Sequence, residues 1–297
     1  MPGGNLRAMD RANHEDIRIG TIVHAQDCPK RLTQIQPLGF ECFQITFGGS
    51  LAGHDLMKLV EECKPHNISC VGLYGNPLQS EDSVEEWKAL IQSARSFGCD
   101  VVSGFAGALE DRPVDESLPR FREVFSELAS IAEGEGVRIA FENCDMGGTW
   151  HRPKWNIAHS PRAWEMMFTE VPSPALGLEW EPCHQMVSFA NPMPQIREWH
   201  SRIFHIHGKD ASVQHDLIAK YGIRSGLNVV WHRHPGFGDT NWTDVISVLR
   251  SVGWRGAIDI EGWHDPVYRD ELEMTGQVYA LEYLKACRGG RYVPNPS

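Results

Sequence analysis

Short, almost wholly apolar runs recur along the chain at 17–23, 40–47, 68–74, 101–105, 137–143, 175–180, 203–207 and 257–261. Runs of this length without polar alternation are what a strand buried on both faces requires. Most are separated by segments whose apolar residues recur at helical spacing. Leu56, Leu59, Val60 and Cys63 share a stripe in 55–65, as do Trp87, Leu90, Ile91 and Ala94 in 83–97. Phe121, Val124, Phe125, Leu128 and Ile131 do so in 118–133, and 243–252 and 269–287 read as two further helices. Ser83-Val-Glu-Glu86 has the form of a capping box opening 83–97. Ser160-Pro161 reads as an N-cap followed by proline at the first helical position. Strands alternating with helices imply a parallel sheet with right-handed crossovers. Eight such units in 297 residues predict an α/β fold, a single (β/α)8 TIM barrel, typically of about 250 residues, with its active site at the C-terminal ends of the strands. A doubly wound sheet would place a Gly-rich phosphate turn after the first strand, and here that strand runs into His24-Ala-Gln26. The expected division is a flexible N-terminal arm at 1–15, the barrel at 16–290 and a C-terminal tail at 291–297.

The C-terminal ends of the later strands carry the candidate chemistry. They read Phe141-Glu-Asn143, Glu179-Trp-Glu181-Pro-Cys-His184, His205-Ile-His207-Gly-Lys209-Asp210 and Glu261-Gly-Trp-His264-Asp265. His205 and His207 are two apart and share one face of a strand. Three carboxylates gathered in a barrel mouth repel one another and raise their own pKa values, and a divalent cation is the simplest partner that keeps them ionised. Glu142, Glu181, His207 and Glu261 are therefore the expected ligands of one metal. Glu179, of the same parity, is the rival to Glu181, which lies nearer the strand end. Three carboxylates and an imidazole favour Mn²⁺ or Mg²⁺, with Co²⁺ or Zn²⁺ as the alternatives.

Composition narrows the partners. A net charge of −11 opposes general affinity for nucleic acid or anionic membrane surfaces. No apolar run approaches the roughly 18 residues of a membrane span. Eight scattered cysteines without a C-x-x-C pair suit a reduced compartment, and with no export signal the cytoplasm is expected.

From the first strand to the last helix the chain resembles the xylose isomerase-like barrels, the sugar phosphate isomerases and epimerases related to endonuclease IV. The residues that carry this are Phe141-Glu-Asn143, Glu181-Pro-Cys-His184, His205-Ile-His-Gly-Lys-Asp210, Arg233-His-Pro-Gly-Phe-Gly238 with Trp242, and Ile260-Glu261. The resemblance implies a metal on Glu142, Glu181, His207 and Glu261. Two departures from the family pattern are Glu181, where many members have aspartate, and Gly262-Trp-His-Asp265 after the last strand. The implied chemistry is proton removal next to a carbonyl of a sugar or keto-sugar, through a metal-stabilised enediolate. Glu142 and Glu261 would serve as base and acid, with Lys209 and His184 on substrate oxygens and Arg233 at an anionic or hydroxyl-rich end. Gln44, Asn76 and Asn143 are expected to meet hydroxyls, with His205 and His264 beside them. Trp180 and Trp263, among the tryptophans at 150, 155, 180, 231 and 263, are expected to stack on sugar faces. Segments 147–156 and 211–240 are the expected lids. A β-eliminating lyase or deglycosidase acting on 3-oxo-glycosides is the alternative activity, and an endonuclease IV-like nuclease the third. The expected partner is a small carbohydrate in a homo-oligomer, with a second type of subunit if the enzyme is a deglycosidase.

Overall fold

The computed structural model describes residues 14–296; most of the expected N-terminal arm therefore lies outside the described residues. Eight parallel strands close into a barrel: β1 Ile17–His24, β2 Phe43–Thr46, β3 Ile68–Leu73, β4 Val101–Gly104, β5 Arg138–Glu142, β6 Leu176–Trp180, β7 Ile203–Gly208 and β10 Gly256–Ile260. Their order round the barrel is β1-β10-β7-β6-β5-β4-β3-β2. β8 Asp210–Val213 and β9 Val230–Arg233 form a separate antiparallel ribbon. The outer layer contains α1 Lys30–Ile35, α2 Leu56–Cys63, α3 Glu81–Ala94, α4 Val114–Glu135, α5 Pro161–Glu170, α6 Pro182–Val187, α7 Pro192–Trp199, α8 His215–Tyr221, α9 Trp242–Ser251 and α10 Glu273–Cys287. Among the described residues no helix is long and apolar enough to cross a membrane.

The apolar core lies between strands and helices, where Trp87, Trp164 and Trp242 are fully buried. Two helix starts differ from the sequence reading. Ser80, not Ser83, caps α3, its side chain accepting from the Ser83 amide at 3.2 Å. Glu81 and Asp82 then fall in the first turn, where carboxylates suit the helix dipole. α4 begins at Val114 and carries Pro119 inside it, so the apolar stripe alone marked its start late.

The inside of the barrel is polar at mid-height. Gln44, Ser103, Glu179, His205 and Asp259 are all buried to within 1% of exposure, where branched apolar layers are the norm. Two glycines make room for them. A Cβ on Gly20 would lie 2.0 Å from Asp259 Oδ1, and one on Gly72 3.0 Å from Gln44 Nε2.

Candidate metal centre and active-site cavity

Four side chains rise from this polar layer to one point. Glu142 ends β5, Glu181 is the residue after β6, His207 stands on β7 and Glu261 follows β10. One ligand atom from each lies within 4.8 Å of the others. His207 Nδ1 is 3.1 Å from Glu261 Oε2 and 3.7 Å from Glu142 Oε1. All four are buried, Glu181 completely. Both Glu181 carboxylate oxygens, His207 Nδ1 and Glu261 Oε2 make no hydrogen bond of good geometry within the protein, although His184 Nε2 lies 2.8 Å from Glu181 Oε1 and His207 Nδ1 3.1 Å from Glu261 Oε2. A buried polar atom left unmatched costs about 1–3 kcal/mol, and native interiors rarely contain four together. Hard oxygen donors and one imidazole, converging and unmatched, fit a divalent cation. Without one, His207 is held protonated: burial would lower its pKa, but Glu179, Glu142 and Glu261 together drive it well above the usual value.

The supporting residues explain the aim of each ligand. Glu181 is the N-cap residue of α6, yet its side chain makes no capping bond and turns instead towards His184 and the other three residues. Asn143 grips the Glu181 backbone from both sides, accepting from its amide at 2.7 Å and donating to its carbonyl at 2.9 Å. His207 Nε2 lies 2.9 Å from Gln44 Oε1 and 3.0 Å from Glu179 Oε1. Both partners accept, so that nitrogen carries a hydrogen and Nδ1 faces the other ligands. Glu179 also accepts from Gln44 Nε2 at 3.0 Å, Tyr74 OH at 2.7 Å and His205 Nδ1 at 2.9 Å. Burial would raise its pKa, but His207 and His205 hold it down at about 2. His205 Nε2 reaches Asp259 Oδ2 at 2.8 Å. With a carboxylate on each side both ring nitrogens donate, and the ring's pKa is raised despite burial.

Lys209 Nζ donates to Glu261 Oε1 at 2.5 Å and lies 3.5 Å from His184 Nε2. Burial opposes its charge, but Glu261 outweighs burial and keeps the amine protonated. The converse holds for Glu261, where Lys209 and His207 overcome burial and keep it ionised. His184 Nε2 is 2.8 Å from Glu181 Oε1. Burial together with Lys209, His184 and His264 pushes His232 down to about 3, so it stands neutral beside the lysine.

Above this floor is a cavity of about 320 Å³, lined by Glu142, His184, His207, Lys209 and Glu261 and by Trp263 and His264. The remaining expected contacts lie elsewhere. Gln44, Asn143 and His205 are fully engaged beneath or beside the ligands and position them instead. Trp180 points outward from β6 and donates to Gln195 at 3.2 Å; it is one residue out of phase with Glu179 and Glu181. Arg233 is drawn to Asp265 at 3.2 Å and lies over the Phe237 ring. Asn76 pairs with the Ala108 backbone, accepting at 3.0 Å and donating at 2.9 Å. Glu179, the rival ligand, sits one layer lower.

The cavity also has walls that the sequence reading passed over. His24 stacks on Trp263 at 4.9 Å, and Tyr74, Phe105 and Met146 face inward. His24 closes β1, so an early strand does bring a histidine to the mouth. Tyr74 and Phe105 are the first residues past β3 and β4, and strand-end parity would have found them as it found Glu181. The expected lid at 211–240 is the β8–α8–β9 ribbon and its following loop.

A family model described as xylose isomerase-like TIM barrel matches residues 32–287. Inosose dehydratase from Serratia proteamaculans (strain 568) is 25% identical over 197 residues, 62% of this chain and 60% of that protein. The chain spans about half to three fifths of the length of the curated relatives it first matches. Among solved structures, 3-keto-D-glucoside 4-epimerase YcjR from E. coli superposes with a TM-score of 0.70 at 14% identity, covering 91% of this chain and 100% of that one. The IolI protein with a bound zinc atom superposes at 0.64 and 18% identity, covering 91% and 96%. The closed eight-stranded barrel and the family match over most of its length agree: this chain belongs to the xylose isomerase-like TIM barrel family.

Proposed function

We propose that the protein is a divalent-metal-dependent isomerase or epimerase that removes a proton from carbon next to the carbonyl of a keto-sugar. The observation that carries this reading is the convergence of Glu142, Glu181, His207 and Glu261, all buried, with poorly satisfied atoms on Glu181, His207 and Glu261, on the floor of a cavity about 320 Å³ in volume. A bound divalent ion would act there as a Lewis acid towards the carbonyl and neighbouring hydroxyl oxygens. Mn²⁺ and Mg²⁺ suit the donor set best, while the IolI neighbour carries zinc.

The residues divide the remaining work by their surroundings. Glu142 borders the cavity, and its nearest ionic partner is His207 Nδ1 at 3.7 Å, so it is the carboxylate freest to take a proton. Glu261 stands on the far side of β6 and β7 in the barrel order, which gives the reacting carbon a second proton-handling group from another direction. The Lys209 ammonium is placed to meet negative charge developing on a substrate oxygen. His184, beside it, orients the same oxygen or its neighbour.

One observation favours a second outcome from the same carbanion. A relative is named inosose dehydratase, and loss of water or an alcohol from the adjacent carbon is the β-elimination counterpart of epimerisation. An endonuclease IV-like activity finds less support, since His24 stacks on Trp263 and stands apart from the four ligands. The test is solvent deuterium exchange followed by NMR over a panel of ketoses and 3-oxo-glycosides with Mn²⁺ added. Deuterium should enter a carbon beside the carbonyl, stop on chelation and stop in Glu142→Gln. Exchange that survives in folded, metal-loaded Glu142→Gln would remove Glu142 as the base.

A further inference from the structure

A second, larger hollow opens beside the metal cavity. It measures about 590 Å³, against about 320 Å³ for the cavity itself, and Trp155 lines both. Trp155 is 39% exposed, although an indole of that size is ordinarily covered. Its neighbours in the hollow include Gln79, Glu110, Thr149 and Lys154. An amide, a carboxylate, a hydroxyl and an ammonium thus line the same hollow as one partly exposed indole. That combination suits a carbohydrate ring, whose C–H face stacks on indole while its hydroxyls meet donors and acceptors.

The loop that bears Trp155 is held in an unfavourable shape. Met146 and Lys154 adopt φ of 52° and 54° without being glycine, a conformation that persists only where surrounding contacts impose it. Asn156 imposes it, donating to the Glu142 and Cys144 carbonyls at 2.9 and 2.7 Å and accepting from the Ala106 and Ala158 amides at 3.2 and 3.1 Å. One strained segment therefore directs Met146 into the metal cavity and Lys154 and Trp155 into the adjoining hollow.

We infer that this hollow is a second sugar subsite, so that the substrate is a glycoside or oligosaccharide. Its reacting ring occupies the metal cavity and its non-reacting ring stacks on Trp155. This rests on the reading of the metal cavity as a keto-sugar site and adds the size of the substrate. Turnover and binding test the two separately.

The Mn²⁺-loaded enzyme is assayed with the 3-oxo derivatives of methyl glucoside and of cellobiose. Saturation-transfer NMR with unoxidised cellobiose and maltose reads the hollow without turnover. The wild type should prefer the disaccharide by tenfold or more in kcat/KM, mainly through KM, and both rings of a bound disaccharide should take up saturation. Gln79 is exposed at the rim of the hollow, so Gln79→Trp fills it without touching the metal residues. It should erase the preference and the second ring's saturation while leaving methyl-glycoside turnover unchanged. Lys154→Ala, milder, should raise KM for the disaccharide alone. Equal kcat/KM for both substrates, with saturation of one ring only, would overturn the subsite and leave the keto-sugar reading standing. Two-ring saturation that Gln79→Trp abolishes, in a protein that turns over neither substrate, would support the subsite and overturn the enzymatic reading.

Discussion

Glu179→Gln is a sharp test of how the candidate metal ligands are held. Glu179 is fully buried and touches none of the other three carboxylates of the site; it acts on His207 from below. Its Oε1 faces Gln44 Nε2 at 3.0 Å, His205 Nδ1 at 2.9 Å and His207 Nε2 at 3.0 Å, and its Oε2 accepts from Tyr74 OH at 2.7 Å. A glutamine can keep its oxygen at the first position, and its amide can face the Tyr74 hydroxyl, which rotates to accept. Shape is preserved and one negative charge is lost. Hydrogen bonds to charged partners are worth about 1.5–3 kcal/mol, against about 1 kcal/mol for neutral ones. The bond that orients His207 should therefore weaken by roughly 1–2 kcal/mol. Removing the carboxylate behind a ligating histidine typically lowers metal affinity about 10–100-fold. Calorimetric titration of the apoprotein with Mn²⁺, checked by chelator competition, measures that loss, and circular dichroism confirms the fold. Glu179→Ala is the harsher control, since it leaves buried donors unmatched at about 1–3 kcal/mol each and should fail to fold or melt early. Unchanged Mn²⁺ affinity in a folded Glu179→Gln protein would refute the claim that this carboxylate acts through His207.

Two further outcomes follow from the loops around the mouth. Asn156→Ala removes four hydrogen bonds at a fully buried position and should cost roughly 2–4 kcal/mol in urea unfolding; a loss below about 0.5 kcal/mol would show that the loop holds its shape without it. Asp265 accepts from the Val267, Tyr268 and His234 amides at 2.8, 2.9 and 3.0 Å. Burial would raise its pKa, but His234 and these amides hold it below the ordinary carboxylate value. Its contribution is therefore full above the unfolded value of about 3.9 and is lost as pH falls further. Asp265→Asn should melt lower than wild type at pH 7, and that gap should narrow in thermal scans below about pH 4. A gap that stays constant from pH 7 to pH 3 would contradict this.

Much of this protein was legible along the chain. Buried parallel strands are continuous apolar runs, and strand parity is strictly two, so the sequence at the ends of β5, β6, β7 and β10 points to Glu142, Glu181, His207 and Glu261 as inward-facing groups, and the structure brings them together. The same parity turns Trp180, expected to stack on a sugar face, outward from β6 and away from Glu181. What parity cannot supply is height within the barrel and the partner across it. Gln44, Glu179, His205 and Asp259 face the same interior as the ligands and differ from them only by a layer. Their pairing joins strands from opposite parts of the sequence, Gln44 with Glu179 and His205 with Asp259. Asn143 likewise has the residue type of a hydroxyl contact, and only the closeness of the next strand turns it onto the Glu181 backbone. Local pattern is a property of neighbours in the chain, and it determined the strands, their inward faces and the candidate metal ligands. Which polar groups serve the substrate and which serve one another was decided by barrel closure, because hydrogen bonds are satisfied between residues far apart in sequence.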